Sequence, residues 1–135
     1  MEIQMADNID GPEITLYASG DLSSYQFHGI TMDTSGYAKL ADDADDPVEA
    51  PIGALQNKPS AAGQPAVVRI SGVAKVMGGA TVAPGIAVTI DGDGHFIAAT
   101  ANDWVWGVTL ETMVSGSVTK ILLGAGQGGA YTAPS

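Results

Sequence analysis

Cysteine is absent from this 135-residue chain, which excludes disulfide frameworks, thiolate nucleophiles and cysteine metal sites. Positive charge is scarce: five lysines and arginines stand against fifteen aspartates and glutamates, a formal net charge of -10. Such a balance repels nucleic-acid phosphate and anionic membrane, and Lys39, Lys58, Arg69, Lys75 and Lys120 are too scattered along the chain to form a basic patch. No apolar run approaches the ~20 residues of a membrane span. The start, Met1-Glu2-Ile3-Gln4-Met5-Ala6-Asp7, has neither the basic lead nor the apolar centre of a signal peptide. The expectation is a soluble protein, not secreted by a standard signal, with no nucleic-acid or membrane partner.

Phenylalanine is also rare, at two residues, whereas 18 glycines and seven prolines punctuate short runs of valine, isoleucine and threonine. That pattern predicts strands. No segment longer than about ten residues carries a 3.6-residue apolar period, so the fold class is all-β, a small β-barrel or sandwich-like module. Residues 1–12 end in Asp10-Gly11-Pro12 and read as a flexible arm. A single β domain follows over 13–124, and the glycine-rich 125–135 reads as a second flexible tail.

Within the domain, three short strands and two turns fit Glu13 to Leu40. Ala41 to Pro47 packs four carboxylates into five positions and must be a solvated loop, with a divalent cation as the alternative occupant. In Ala66 to Met77 every even position is apolar or glycine, so Arg69 and Lys75 share the odd face, roughly 20 Å apart if the strand is unbroken. Gly72 is the position where a bulge would break it. The same alternation sets Ile86, Val88 and Ile90, and then Trp104, Trp106, Val108 and Leu110, on core faces. Asp91-Gly92-Asp93-Gly94 predicts a type I′ hairpin and Val118 to Leu123 a final strand.

Few motifs point to chemistry. Gly124-Ala125-Gly126-Gln127-Gly128-Gly129 spells the dinucleotide fingerprint, but the chain supplies no following helix on which pyrophosphate would rest. Asp91 to His95 opens like a calcium loop and then fails, with Phe96 at the sixth position and Asn102 at the twelfth. His28 and His95 lack metal-ligand spacing, and neither Ser19 nor Ser115 has a nucleophile-elbow setting. Trp104 and Trp106 could stack a sugar, but their parity with Val108 and Leu110 favours core packing. Lys75 in Ser71-Gly72-Val73-Ala74-Lys75-Val76 lies within a strand, not at the turn where biotinyl and lipoyl domains present a lysine. No catalytic set and no cofactor site emerges.

From Ala50 onward the order and spacing become specific. Gly53-Ala54-Leu55-Gln56-Asn57-Lys58-Pro59, Val68-Arg69-Ile70-Ser71-Gly72-Val73-Ala74-Lys75-Val76, Ala83-Pro84-Gly85 and Trp106-Gly107-Val108-Thr109-Leu110-Glu111 follow one another before the last aliphatic strand. This series, over more than half the chain, resembles the small capsid decoration, or head-stabilising, proteins of tailed bacteriophages, with residues 1–49 departing from or extending the pattern. The resemblance implies a non-enzymatic virion protein on the outer surface of the capsid, commonly a homotrimer, that clamps neighbouring subunits of the major capsid protein. Candidate capsid or trimer contacts are Ile3, Met5 and Ile9 on the arm, with Arg69, Lys75 and Met77, and trimer formation would also cover Val67 and Val73. Arg69 and Lys75 are expected to pair with carboxylates of this chain, a neighbouring copy or the capsid protein. A glycan-binding head-fibre or tail-tip domain, using the tryptophans or Tyr17, Tyr25 and Tyr37, is the alternative.

Overall fold

The computed structural model describes residues 11–43 and 50–124, and the short apolar runs become ten strands, with no helix among the described residues. They are β1 (Glu13–Tyr17), β2 (Gly29–Met32), β3 (Ala38–Leu40), β4 (Gly53–Leu55), β5 (Pro65–Arg69), β6 (Gly72–Met77), β7 (Ala87–Ile90), β8 (Phe96–Ala98), β9 (Gly107–Thr109) and β10 (Val118–Leu123). All ladders are antiparallel and form two five-stranded sheets, ordered β1-β5-β4-β2-β3 and β6-β10-β9-β7-β8. The module is all-β and sandwich-like, as the composition predicts.

Adding five to each strand of the first sheet gives the second, so the protein is a tandem repeat in structure. The registers agree residue by residue. Tyr17 faces Pro65 where Met77 faces Val118, Leu55 faces Val68 where Thr109 faces Ile121, and Ile30 faces Gly53 where Val88 faces Gly107. In each unit one parallel bridge, Ala18 with Ala38 and Gly78 with Phe96, draws the two edge strands together without completing a barrel ladder.

The hairpins of the two units are built alike. Asp33 N–H donates to Tyr37 O at 2.9 Å and Asp91 N–H to His95 O at 2.8 Å, while Gly36 and Gly94 take φ of 88° and 80°. The aspartate Oδ1 accepts two backbone N–H groups in both, from Ser35 and Tyr37 and from Asp93 and His95. These are three-residue loops with one left-handed glycine. The expected type I′ turn needs two successive residues at positive φ, and neither Gly92 nor Asp93 adopts it.

Two apolar clusters fill the sheets. One gathers Leu22, Ile30, Leu55, Ala66 and Val68; the other gathers Val76, Val88, Ile90, Phe96, Trp106, Met113 and Ile121, and takes in Ala41 and Ala54 from the first unit. Backbone bonds join the units as well, from Met77 N–H to Phe27 O at 2.8 Å and from Gly29 N–H to Gly94 O at 2.9 Å.

Parity fails in the second unit. Val88 and Ile90 are buried, but Ile86 lies exposed outside its strand and Thr89 is buried. Trp106 is buried, yet Val108 is only half-buried, Leu110 is exposed, and Val105 and Thr109 turn inward. The strand spans only Gly107–Thr109, so the residues before and after it follow loop paths with no alternation.

Equivalent threonines give a paired prediction. Thr31 Oγ1 donates to Ala50 O at 2.9 Å, whereas Thr89 Oγ1, at the matching position of β7, is buried with no hydrogen-bond partner among the described residues. Thr31→Val should cost about 1–2 kcal/mol by orphaning a carbonyl, and Thr89→Val should be neutral or stabilising by up to about 1 kcal/mol. Urea denaturation of both variants measures the opposite signs.

Candidate functional site

The odd face of Ala66 to Met77 does not remain one strand. β5 ends at Arg69, the chain turns through Gly72 at a φ of 78°, and β6 enters the other sheet. Arg69 holds that crossover. Its Nη1 donates to Val73 O at 2.7 Å and its Nη2 to Glu13 Oε2 at 2.6 Å, Glu13 being the residue opposite it on β1. The expected carboxylate partner of Arg69 is thus in its own chain, and with a side chain 12% exposed the pair is only partly screened.

The turn also folds the two basic residues toward one another. Arg69, Lys75 and Lys120 line a recess of about 440 Å³ together with Gln26 and Gln56, with Phe27 and Val73 completing its wall. A second recess of about 360 Å³ shares Phe27, Lys75 and Lys120 and adds Glu111, Val118 and Thr119. Three of the chain's five basic residues therefore meet in one place. Lys75 and Lys120 stand directly opposite on β6 and β10, an arrangement of like charges that costs about 0.2–1 kcal/mol in an isolated sheet. Glu111 Oε2 accepts the Lys120 backbone N–H at 3.1 Å and sets one carboxylate at the far side.

Phe27 links the two recesses in a left-handed conformation, φ 70°, unusual for a residue with a side chain. Its N–H donates to Leu55 O at 2.6 Å and its carbonyl accepts from Met77, so both units hold it there. Strain of this kind costs about 1–3 kcal/mol and collects where a surface is shaped for use.

Other candidates are placed as follows. Met77 is half-buried at the end of β6, where its N–H meets Phe27. Val67 is half-buried and Val73 is buried within the protomer, so Val73 is not left for a trimer neighbour to cover. Ile3, Met5 and Ile9 lie outside the described residues, as do most of the acidic run and the tail from Ala125. Trp106 is fully enclosed edge-to-face against Phe96 and offers no face to a sugar, while Trp104 packs partly buried on the same core. Tyr17 and Tyr37 are exposed.

The two histidines, unrelated by spacing, meet at the joint between the units. Their rings lie 4.7 Å apart, Tyr25 packs edge-on to His28 at 5.4 Å, and His95 Nδ1 is 3.4 Å from Asp91 Oδ2. His28 is buried, with Nδ1 donating to Gln26 O at 3.0 Å. Burial pushes its pKa below the usual 6.5 and the nearby His95 adds to this, against the Gln26 carbonyl and Asp91. The unfolded chain therefore binds a proton more readily than the folded one below about pH 6.5. Stability is complete above that pH and is lost as pH falls toward the depressed pKa. Melting temperatures from about pH 7.5 to 5 should decline more steeply in the wild type than in His28→Gln.

Asp91, Asp93 and His95 bring ligand-capable atoms within 4.8 Å of one another. Asp91 Oδ1 is already committed to two backbone N–H groups, as Asp33 Oδ1 is in the first hairpin, so turn formation accounts for the aspartate.

No protein-family model matches this sequence and no curated protein is significantly similar to it. Similarity lies in the fold. The solved structure of the N base of the head fiber protein gp8.5 of bacteriophage phi29 superposes with a TM-score of 0.63 at 13% identity, covering 86% of this chain and 96% of that one. Neither five-stranded unit alone spans 86% of the chain, so the match takes in both.

Proposed function

We propose that this chain is a structural, non-enzymatic protein of a bacteriophage virion, seated on the outer surface of the head and bridging major capsid protein subunits as a homotrimer. The observation that carries this is the likeness, across both units, to a module whose own description is the base of a phage head fiber. The resemblance of Gly53 to Glu111 to capsid decoration proteins points the same way. The acidic charge suits a position outside a DNA-filled shell, since like charge keeps the protein from the packaged genome. Val118 and Leu122, both exposed on one face of β10, supply apolar area for contact with shell or neighbour.

The likeness equally favours a second reading, a base that anchors a head fibre. Sedimentation of the purified protein with undecorated, expanded heads separates the two. Saturation at a fixed, high ratio to capsid protein identifies decoration, while a few copies per head identify a fibre base. The mass of the free species tests the trimer, and absence of binding by folded protein overturns both readings.

A further inference from the structure

We propose that copies of this chain associate head to tail by repeating the joint that already holds its two units together, an apolar face on the second unit of one copy receiving the open edge of β1 in the next. That three copies close the ring rests on the trimer reading above; the pairing of the two surfaces does not.

The intramolecular joint defines both surfaces. Gly78 N–H donates to Ser117 O at 2.9 Å, which fixes the ladder parity and leaves the backbone of Val73, Lys75 and Met77 facing away from β10. The first unit covers all three. Val73 O accepts from Arg69 Nη1 at 2.7 Å, Lys75 O accepts from Gln56 Nε2 at 3.4 Å, and Met77 N–H donates to Phe27 O at 2.8 Å. β1 is the matching strand of the first unit, and the bonds from Ile70 N–H to Pro12 O and from Ala18 N–H to Gln64 O give it the same parity. Glu13, Thr15 and Tyr17 therefore turn their backbone groups outward along an exposed edge, where no hydrogen bond from the described residues reaches them. Such an edge is a template for another chain.

The receiving surface is duplicated as well. Gly85 stands where Phe27 does: both have positive φ, 80° and 70°, and Gly85 N–H donates to Thr109 O as Phe27 N–H does to Leu55 O. By the same register Ile86 matches His28, Leu110 matches Gln56 and Leu122 matches Arg69. In the first unit these positions are buried or half-buried at the joint, whereas Ile86, Leu110 and Leu122 are exposed and aliphatic. On the edge side, Tyr17 and Tyr37 hold the places of Met77 and His95. Tyr17, Tyr37, Ile86, Leu110 and Leu122 make up five of the eight large apolar side chains exposed among the described residues, and scattered surface exposure has no reason to follow the pattern of a joint. In the contact between copies, Tyr17 N–H donates to Gly85 O of the next copy, as Met77 N–H does to Phe27 O within one. Because the two surfaces differ, the contact is heterologous; it closes into a ring or runs on as a filament, and a twofold dimer cannot form it.

The chain has no cysteine, so introduced cysteines report this contact alone. Tyr37 and Ile86 match His95 and His28, whose rings lie 4.7 Å apart, and both are exposed, so Tyr37→Cys and Ile86→Cys leave the apolar clusters intact. The two full-length variants are mixed and treated with a short bis-maleimide cross-linker, both free and on undecorated heads, near physiological salt, where repulsion between acidic copies is screened beyond about 8 Å. The expected result is a cross-linked dimer from the mixture and from neither variant alone. Absence of the link in both settings, with both variants folded by circular dichroism, overturns the proposal. Linking of either variant with itself marks a twofold contact and overturns it too.

The double variant Tyr37→Cys/Ile86→Cys separates this contact from the trimer reading. Products ending at three copies support both, while a ladder running beyond three keeps the contact and overturns the trimer. A wild-type trimer in sedimentation, with no link in the mixture, keeps the trimer and overturns the contact.

Discussion

Trp106→Ala is expected to lower stability by about 3–5 kcal/mol, the largest loss from any single truncation in this protein. Trp106 is fully buried at the centre of the larger apolar cluster, edge-to-face with Phe96 at a centroid separation of 5.7 Å, and two of its ring carbons lie close to Gly29 of the other unit. Removing it opens a cavity lined by both repeats, so the effect reaches the joint as well as the second core. For a chain of this size the loss corresponds to a fall of roughly 10–20 °C in melting temperature, measurable by calorimetry. Trp106→Phe should cost well under half as much. It keeps a ring against Phe96 and removes an indole N–H that has no hydrogen-bond partner among the described residues, a burial that itself opposes folding.

Gly53→Ala should be almost as damaging, about 3 kcal/mol. A Cβ at Gly53 would stand 2.0 Å from the carbonyl oxygen of Arg69 and 2.8 Å from Val68 Cγ1, and since the nearer obstruction is backbone, β4 must move away from β5 by about 1 Å. A Cβ at the matching Gly107 would stand 2.4 Å from the Leu122 carbonyl oxygen, so both sheets have the same close approach. Gly20, with open space around it and an ordinary φ, is the control, and Gly20→Ala should change stability by less than about 0.5 kcal/mol. Gly107→Ala should lose stability for the same reason, since the nearer obstruction there is also backbone. Urea titration of the three variants measures the contrast.

The repeat is the feature that sequence reading missed, and its absence from that reading has a physical cause. The hairpins do carry a common signature, Ile30-Thr31-Met32-Asp33-Thr34-Ser35-Gly36 against Val88-Thr89-Ile90-Asp91-Gly92-Asp93-Gly94. The spacing drifts, however. Tyr17 and Met77 are 60 residues apart, Asp33 and Asp91 58, and Val68 and Ile121 53, because loops between equivalent strands differ in length. A ladder fixes only which residues face one another, so loops can lengthen without disturbing it and a fixed period disappears. Strand parity met a different limit. It holds in β5 and in most of β6, which are long enough to alternate, and fails around the three-residue β9, where loop geometry decides which side chains turn inward.

The sequence by itself determined the class of this protein. Glycine and proline cut the chain into runs too short for helices, β-branched residues filled them, and fifteen acids against five bases set the sign of its surface. Those properties are local or additive, so no contact map is needed to read them. Only the tertiary structure decided where the few cations stand. Arg69 and Lys75 lie on either side of a turn through Gly72, and Lys120 reaches Lys75 only because β10 pairs with β6, more than forty residues earlier in the chain. His28 and His95 came together in the same way, across the joint of two units. Which strands pair is settled by burying two apolar faces at once, a property of the whole chain and not of any segment of it.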